Sequence, residues 1–298
     1  MNSYAIFTDV GCDVEPALRE QFDIDCIYMH YTLDGEDYEE RLEWKRFSVK
    51  EYYDLIRNGK RIYTTQANVE NYKTSFKKYL DEGKDVLYIG CSSQLSASVK
   101  SSFIARDELQ KEYPDRKIIC IDAKRGCYAG GILALTASEM RADGKSIDEV
   151  ATWVEENKTT SNMIGTIDDL KYLRRAGRIS ATSAFFAGLL NIKPIVIADA
   201  IGRNFAMEKV KGKKKAMERV AQLFKESYRD VPYQKVYINH SDCIEDVEFL
   251  KNELFKQLGK EIPVHVGYVG PIVGASVGPG MLCVNFFGQK VTLNEEEN

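Results

Sequence analysis

The sequence predicts an α/β protein of two domains, an N-terminal parallel-sheet domain over residues 1–160 and a C-terminal mixed α/β domain over residues 161–298. The first observation behind this prediction is the length, since 298 residues exceed the usual size of one domain. The second is a recurring unit in the first half, in which a short apolar run precedes a polar turn and a helical segment. The third is a change of pattern after Asn162, where this regular alternation ends.

The recurring unit of the first half indicates a parallel sheet. The strands are predicted at residues 4–7, 85–90 and 117–121, and the helices at residues 14–22, 49–58, 69–82, 97–111, 131–141 and 146–156. Continuous β-branched runs that alternate with helices of about ten or more residues are typical of a parallel sheet covered on both faces. The first half should therefore be a doubly covered α/β layer.

The second half has a less regular pattern. Strands are predicted at residues 195–198, 204–211, 235–239, 264–269 and 281–287, and helices at residues 168–174, 181–190 and 213–229. Asp242 and Glu245 have the spacing of a capping box that opens a further helix ending near Leu258. Residues 270–280 hold four glycines and two prolines and are predicted to form a loop between strands. We expect the two halves to pack with a cleft between them.

Composition excludes several classes of protein. With 41 basic and 45 acidic residues the net charge is −4, which argues against nucleic-acid binding through an overall positive charge. No window approaches the roughly 18 apolar residues of a membrane span. The N-terminus shows neither a basic region nor a hydrophobic export segment, so we expect a cytoplasmic protein. Seven irregularly spaced cysteines and three histidines include no zinc-site pairing, and we expect reduced thiols and no metal.

Hydroxyl side chains dominate the predicted ligand-binding edge of the first domain. In doubly wound sheets, ligands lie beyond the carboxyl ends of the strands, where helix N-termini present free N–H groups. Ser92 and Ser93 follow a predicted strand, and Thr64 and Thr65 lie in a turn before a helix. Neutral donors of this kind suit a carboxylate or phosphate better than proton transfer. The alternative, that these residues only cap helices, stays open.

Three features of the second half allow both a structural and a functional interpretation. Residues 173–180 place three arginines, including Arg178, around a glycine turn that could simply be solvated. The glycines of residues 270–280 let backbone approach a ligand. Neither a Walker loop nor a dinucleotide fingerprint is present. A basic stretch is either a solvated surface or a docking patch for an acidic partner, and it consists of Lys209, Lys211, Lys213, Lys214, Lys215 and Arg219.

A family resemblance rests on segments spread over nearly the whole chain. These are Phe7-Thr8-Asp9 with Asp13, Thr64-Thr65-Gln66, residues 92–96, Asp122 with residues 129–131, and residues 173–180, 191–195, 214–216 and 270–280. In their order and spacing they resemble the DegV family, whose members include the acyl-carrying subunit of bacterial fatty acid kinase. The resemblance implies a DegV-like fold with a long-chain fatty acid between its two domains and no other cofactor.

The resemblance also implies a function and a set of site residues. The protein would be a carrier without catalytic activity that presents a fatty acid carboxylate to a separate fatty acid kinase subunit. It would have no nucleic-acid partner and at most transient membrane contact. The implied ligand-binding residues are Thr64, Thr65, Ser92, Ser93, Arg178, Gly274 and Ser276. The family commonly has a histidine where this chain has Ser276, and serine can donate to a carboxylate but cannot supply charge.

Two functions of other classes remain as alternatives. A hydrolase or acyltransferase could use Ser92 or Ser93 with His240, although no G-x-S-x-G elbow is present. A lipid-independent interaction module could dock through the basic stretch between Lys209 and Arg219.

Overall fold

Two large β-sheets and one small sheet organise the described part of the chain, residues 3–180, 185 and 191–295 of a computed structural model. The strands are β1 (Tyr4–Asp9), β2 (Ile24–Ile27), β3 (Met29–Leu33), β4 (Glu36–Glu40), β5 (Ile62–Thr65), β6 (Asp85–Gly90), β7 (Ile118–Asp122), β8 (Ser161–Thr166), β9 (Ile192–Ala198), β10 (Asn204–Lys211), β11 (Val236–His240), β12 (His265–Tyr268) and β13 (Leu282–Phe287). The helices are α1 (Pro16–Gln21), α2 (Val49–Arg57), α3 (Val69–Asp81), α4 (Ser98–Glu112), α5 (Cys127–Ala142), α6 (Ile147–Asn157), α7 (Lys171–Ala176), α8 (Lys213–Ser227), α9 (Ile244–Leu258) and α10 (Pro271–Val277).

The first large sheet is parallel and has the strand order β2-β1-β6-β7. Strands β1 and β6 are buried along their whole length. Phe7 and Tyr88 pack towards α3 and α4 on one face, whereas Ile6 and Leu87 pack towards α5 and α6 on the other. This arrangement confirms the predicted parallel sheet with helices on both faces, and the continuous apolar runs follow from burial on both sides.

The second large sheet is mixed and has the strand order β10-β9-β8-β13-β11-β12. All of its neighbours pair antiparallel except β11 and β12. Helices α8 and α9 cover one face. The other face packs against the beginning of α5, where Cys127 and Ala129 contact residues such as Met163 and Cys283. The second sheet therefore turns one face towards the first-half helices, which leaves a cleft between the two sheets.

A buried arginine connects the two sheets. The Arg125 side chain is fully buried in the loop between β7 and α5. It donates hydrogen bonds to the backbone carbonyls of Thr159, Ser161 and Asp199, which lie before β8, at its start and after β9. Burial lowers the pKa of its guanidinium to about 10, and Asp199 and Asp122 act in the opposite direction. Carbonyl acceptors beside β8 and β9 of the second sheet thus fix the loop that follows the last strand of the first sheet.

The third sheet, β4-β3-β5, was not predicted. Strand β3 alternates buried Met29, Tyr31 and Leu33 with half-buried residues, a period-2 pattern that indicates a strand. Strands β2 and β8 were also missed. Strand β8, Ser161–Thr166, includes polar residues and a glycine, and its burial comes from its central position between β9 and β13.

Two local predictions in the second half are wrong. Residues 270–280 contain α10, which begins at Pro271, where proline costs no hydrogen bond because the first turn has free N–H groups. Asp242 does not cap α9, because Cys243 holds that position without a side-chain bond. Asp242 has a φ of +54° and its carboxylate pairs with Arg57 of α2.

Three further predictions concern the helix at residues 181–190, the domain boundary and the lack of a membrane-spanning segment. The helix predicted at residues 181–190 lies outside the described residues, apart from Phe185. The boundary near residue 160 stays a prediction. Among the described residues, every helix is too short or too polar to cross a bilayer.

Candidate ligand-binding pocket

A pocket with a mainly apolar wall lies between the two large sheets. It encloses about 1100 Å³ of space free of protein atoms, part of which opens to solvent at the mouth. Its apolar wall comes from both halves of the chain: Met29, Leu95, Met163, Ile167, Leu173, Val196, Ile272, Val273, Val277 and Met281.

Strand alternation explains why one wall of the pocket is apolar. Gly165 of β8 pairs with Cys283 of β13 on one side and with Val196 of β9 on the other. These three residues share one face of the second sheet because the side-chain period of a strand is two. A Cβ on Gly165 would lie 2.4 Å from the Cβ of Cys283, so a larger residue would force β8 and β13 apart.

Three thiols complete the apolar wall, from Cys91, Cys127 and Cys283. Burial raises the pKa of Cys283 to about 12, and burial raises the pKa of the other two thiols well above the usual value. The thiols therefore stay protonated at neutral pH. Each presents a small and weakly polar surface to the pocket, as a free buried cysteine generally does.

Polar side chains gather in the same pocket on exposed or half-buried positions. They are Thr64, Thr65, Gln66, Ser96, Arg178, Asn204 and Ser276. Thr64 and Thr65 end β5, and Ser276 lies in the last turn of α10. Because hydroxyls, amides and one guanidinium are the groups present, this region can hold an acidic head group.

Arg178 is held in place by the turn that carries it. Helix α7 ends at Gly177, whose φ of +68° is a left-handed conformation that glycine adopts without strain. Beyond this turn the Arg178 Nε donates to the carbonyl of Leu95 at 3.1 Å. The amide of Asn204 donates to the Arg178 carbonyl at 3.0 Å. Arg178 therefore bridges the loop after β6 and the second sheet, with its side chain exposed at the pocket.

Four of the seven predicted site residues line this pocket: Thr64, Thr65, Arg178 and Ser276. The other three lie outside its wall. Ser92 is 0% exposed, and its hydroxyl donates to the Gly202 carbonyl at 2.8 Å. A Cβ on Gly274 would lie 2.5 Å from the hydroxyl of Tyr53, so this glycine faces α2.

Ser93 is the third residue that the structure places elsewhere. It is half-buried, and its backbone N–H donates to an Asp122 carboxylate oxygen at 3.3 Å. Ser93 thus connects the loop after β6 to the end of β7, and neither Ser92 nor Ser93 forms part of the pocket wall. Ser96, four residues after Ser92, is the serine of this loop that lines the pocket.

The described residues contain no hydrogen bond between a serine and any of the three histidines. His240 accepts from the Cys243 N–H at 3.2 Å, and burial lowers its pKa. His30 pairs with Asp37, and His265 pairs with Glu15. Because the Ser92 hydroxyl is also engaged, the geometry does not favour a serine hydrolase.

Two of the six basic side chains of this stretch, Lys213 and Arg219, pair with nearby carboxylates. Lys213 pairs with Asp246 at 2.5 Å, and Arg219 pairs with Glu208 at 2.7 Å. At these two positions the positive charge is already compensated within the chain. Within residues 3–180, 185 and 191–295, no group of three His, Cys, Asp or Glu side chains is arranged to hold a metal ion.

Several pocket residues were not identified from the sequence. Met29 lies on β3 and Val196 on β9. The local pattern does not show which side of each strand faces the pocket, because this depends on how the sheets pack together. Ser96 lies within residues 92–96, which carried the family resemblance, but it was not among the predicted site residues. Asn204 gave no local signal, because its contact with Arg178 joins residues that are 26 positions apart.

The chain is similar to a known protein family and to individual known proteins. The family model "Uncharacterised protein, DegV family" matches residues 3–289. A DegV domain-containing protein of Clostridium perfringens is 34% identical over 288 residues, which cover 97% of this chain and 98% of that protein.

Two solved structures share the fold. One is a Thermotoga maritima protein described as having a fatty acid binding function, with a TM-score of 0.82 and 26% identity. The other is DegV, a fatty acid binding protein from Bacillus subtilis, with a TM-score of 0.81 and 26% identity. Each match covers 97% of this chain and 100% of the other.

Proposed function

The chain belongs to the DegV family, and we propose that it binds a long-chain fatty acid in the pocket between its two large sheets. The observation that carries the proposal is a pocket whose lining combines an apolar wall with hydroxyl side chains and Arg178. Two relatives of the same fold are described as fatty acid binding proteins, which supports the same ligand class here.

Most of the binding free energy should come from burial of the acyl chain of the fatty acid. Burial of each methylene contributes about 0.8 kcal/mol, so a chain of about 14 to 18 carbons contributes on the order of 10 kcal/mol before ordering costs. The apolar wall and the protonated thiols add no charge that would oppose this burial. A few donors are then sufficient to orient the carboxylate.

The carboxylate would lie among Thr64, Thr65, Ser276 and Arg178. The hydroxyls donate to it, and Arg178 supplies the positive charge. The family commonly has a histidine at the position of Ser276. A serine hydroxyl, unlike a histidine, does not titrate near neutral pH. Binding of the head group should consequently vary little between pH 6 and pH 8 through this position.

We further propose that the chain presents the bound carboxylate to a separate kinase subunit. Thr64, Thr65 and Arg178 are exposed, so a carboxylate held there is open to a second protein. The kinase subunit would transfer the terminal phosphoryl group of ATP to a carboxylate oxygen and release ADP. The chain itself would perform no reaction, in keeping with the engaged hydroxyl of Ser92.

Mass spectrometry of the freshly purified protein tests the binding proposal. Under denaturing conditions the protein should release about one acyl chain per molecule. A protein that is empty after purification and also fails to bind added C14 to C18 fatty acids would contradict it. The presentation proposal has its own test, in which a fatty acid kinase subunit phosphorylates radiolabelled fatty acid only when this protein is present.

A further inference from the structure

Ser98 is a fully buried serine whose hydroxyl contacts the lining of the pocket from outside the cavity. It is the first residue of α4, its side chain is 0% exposed, and it does not itself line the pocket. A buried hydroxyl is costly unless it forms hydrogen bonds. The partners of the Ser98 hydroxyl therefore indicate what this residue does.

Among the described residues, the Ser98 hydroxyl has partners in three segments. The backbone N–H of Ala67, in the turn after β5, donates to it at 3.1 Å. The Ser96 hydroxyl lies 2.9 Å from it, and the sulfur of Met29 on β3 lies 3.7 Å from it. Residues 64–66, Ser96 and Met29 all line the pocket. Ser98 thus connects three parts of the pocket lining.

The number of donors and acceptors sets the direction of these bonds. The Ser98 oxygen accepts from the Ala67 N–H, so the hydroxyl hydrogen of Ser98 can go either to Ser96 or to Met29. A hydroxyl oxygen is a good acceptor, whereas a thioether sulfur is a weak one. The Ser98 hydroxyl therefore donates to the oxygen of Ser96.

Ser96 is consequently a donor towards the pocket. Its oxygen accepts twice from Ser98, once from the hydroxyl and once from the backbone N–H at 3.2 Å. Because both of its lone pairs are engaged, the hydrogen of Ser96 is the group that remains for a ligand in the pocket. Hydroxyls that are bonded in a chain polarise one another, which strengthens the last donor. Such a donor suits a carboxylate oxygen.

We propose that Ser98 is a positioning residue for the fatty acid carboxylate and that it acts through Ser96. Its hydroxyl turns the hydrogen of Ser96 towards the ligand, and the bond from Ala67 fixes the Ser98 oxygen. Ser98 should therefore make the pocket prefer a carboxylate over a neutral head group. The inference rests on the proposed fatty acid binding and adds a residue that does not touch the ligand.

The preference for the head group is measured with two ligands that have the same chain length. It is the dissociation constant of tetradecan-1-ol divided by that of tetradecanoate, each obtained by displacement of a fluorescent fatty acid. Ser98→Ala should lower this ratio about three- to tenfold, because tetradecanoate binds less tightly. A merely structural role of Ser98 would weaken both ligands equally. An unchanged ratio would therefore overturn the proposal.

Ser102→Ala is the matched control. Ser102 lies one turn further along α4, is also 0% exposed, and donates to the Val99 carbonyl of its own helix at 2.6 Å. The variant removes a buried hydroxyl that has no bond to a pocket-lining residue, so the ratio should change by less than about twofold. An equal fall of the ratio in Ser98→Ala and Ser102→Ala would mean that any buried hydroxyl of α4 has this effect, and the proposal would be rejected.

A double variant tests whether Ser98 acts through Ser96. Ser96→Ala should lower the ratio at least as much as Ser98→Ala does. When Ser98→Ala is added to Ser96→Ala, the ratio should fall by less than about twofold more, because the hydrogen that Ser98 orients is already absent. An unchanged ratio in Ser96→Ala, or independent effects of the two substitutions, would contradict the inference.

Ser98→Cys replaces Ser98→Ala if the alanine variant fails to fold. The thiol fills the buried site but donates only weakly, so the ratio should again fall, and an unchanged ratio would overturn the proposal. The original protein separates this inference from the proposed function. If it binds neither ligand, the proposed fatty acid site is wrong and this inference fails with it. If it binds tetradecanoate but the ratio is insensitive to Ser98, only this inference fails.

Discussion

The carboxylate of Asp13 accepts a hydrogen bond at 3.0 Å from the backbone N–H of Gly270, which lies 257 residues further along the chain. The bond connects the turn after β1 to the residue that caps α10. The hydroxyls of Tyr52 and Tyr53 donate, at 2.7 Å each, to the carbonyls on either side of Gly270. The start of a helix that lines the pocket is therefore held by three side chains of the N-terminal half.

Asp13 should make the stability of the protein depend on pH. It is 2% exposed, and burial raises its pKa to about 8, well above the usual value near 4. Between these values the folded protein keeps a proton that the unfolded chain releases. The stabilisation is complete below about pH 4 and is lost as pH rises through about 8. Asp13→Asn should remove this dependence, because the amide oxygen can still accept from Gly270.

Urea unfolding between pH 5 and pH 9 measures the effect. The free energy of unfolding of Asp13→Asn should fall less with rising pH than that of the original protein. Asp34→Asn is the control, because Asp34 is exposed and has a similar φ of +53°. Parallel pH profiles for the Asp13→Asn variant and the original protein would show that this carboxyl does not titrate as expected.

Thr64→Ala and Arg178→Ala should weaken fatty acid binding without unfolding the protein. A neutral hydrogen bond contributes about 0.5–1.5 kcal/mol, so Thr64→Ala should cost about two- to tenfold in affinity. Arg178 is exposed, and its loss should cost about two- to fivefold. Isothermal titration with a C16 fatty acid gives the dissociation constants, and thermal melting verifies the fold.

The control for these two variants is Thr74→Ala, an exposed threonine on α3 that lies outside the pocket wall. It should bind fatty acid as the original protein does. If Thr64→Ala and Arg178→Ala also retain full affinity, the carboxylate is held elsewhere.

Ser92→Ala should affect stability more than ligand binding. The Ser92 hydroxyl donates to the Gly202 carbonyl across the two halves of the chain. Its loss should lower the free energy of unfolding by about 1 kcal/mol and change fatty acid affinity by less than about twofold. Urea unfolding and titration of the same preparation measure both quantities. A large loss of affinity with unchanged stability would instead assign Ser92 to the ligand site.

Val196→Phe should shorten the acyl chain that the protein retains. Val196 is buried in the pocket wall on β9, so a phenyl group there occupies space proposed for the tail. The extra volume should also cost about 1–3 kcal/mol of stability. Extraction followed by mass spectrometry should find shorter acyl chains, or fewer, than in the original protein.

The neighbouring residue is the control for this substitution. Ile197 points to the opposite face of β9 and packs with the cluster beneath α8 and α9. Ile197→Phe should leave the profile of extracted acyl chains unchanged. If both variants alter the profile alike, the effect comes from disruption of the second sheet.

Local patterns predicted much of the fold. The parallel sheet followed from runs such as Asp85–Gly90, which are buried on both faces and are therefore continuously apolar. Short polar strands such as Glu36–Glu40 gave no comparable signal, since this strand is mostly exposed and forms by pairing with β3. Helix α10 was missed because its glycines suggested a loop, although packing against Tyr53 leaves no room for a larger residue at Gly274.

The sequence by itself determined the α/β class and the parallel sheet, because these depend on local periodicity and composition. The hydroxyl and guanidinium side chains of the proposed ligand site were indicated by the segments that resemble the DegV family. Only the tertiary structure decided that the Ser92 hydroxyl is buried against the Gly202 carbonyl while Ser96 lines the pocket. The physical reason is that burial, hydrogen-bond partners and the charge around a side chain are set by residues distant in sequence, such as Gly202 for Ser92.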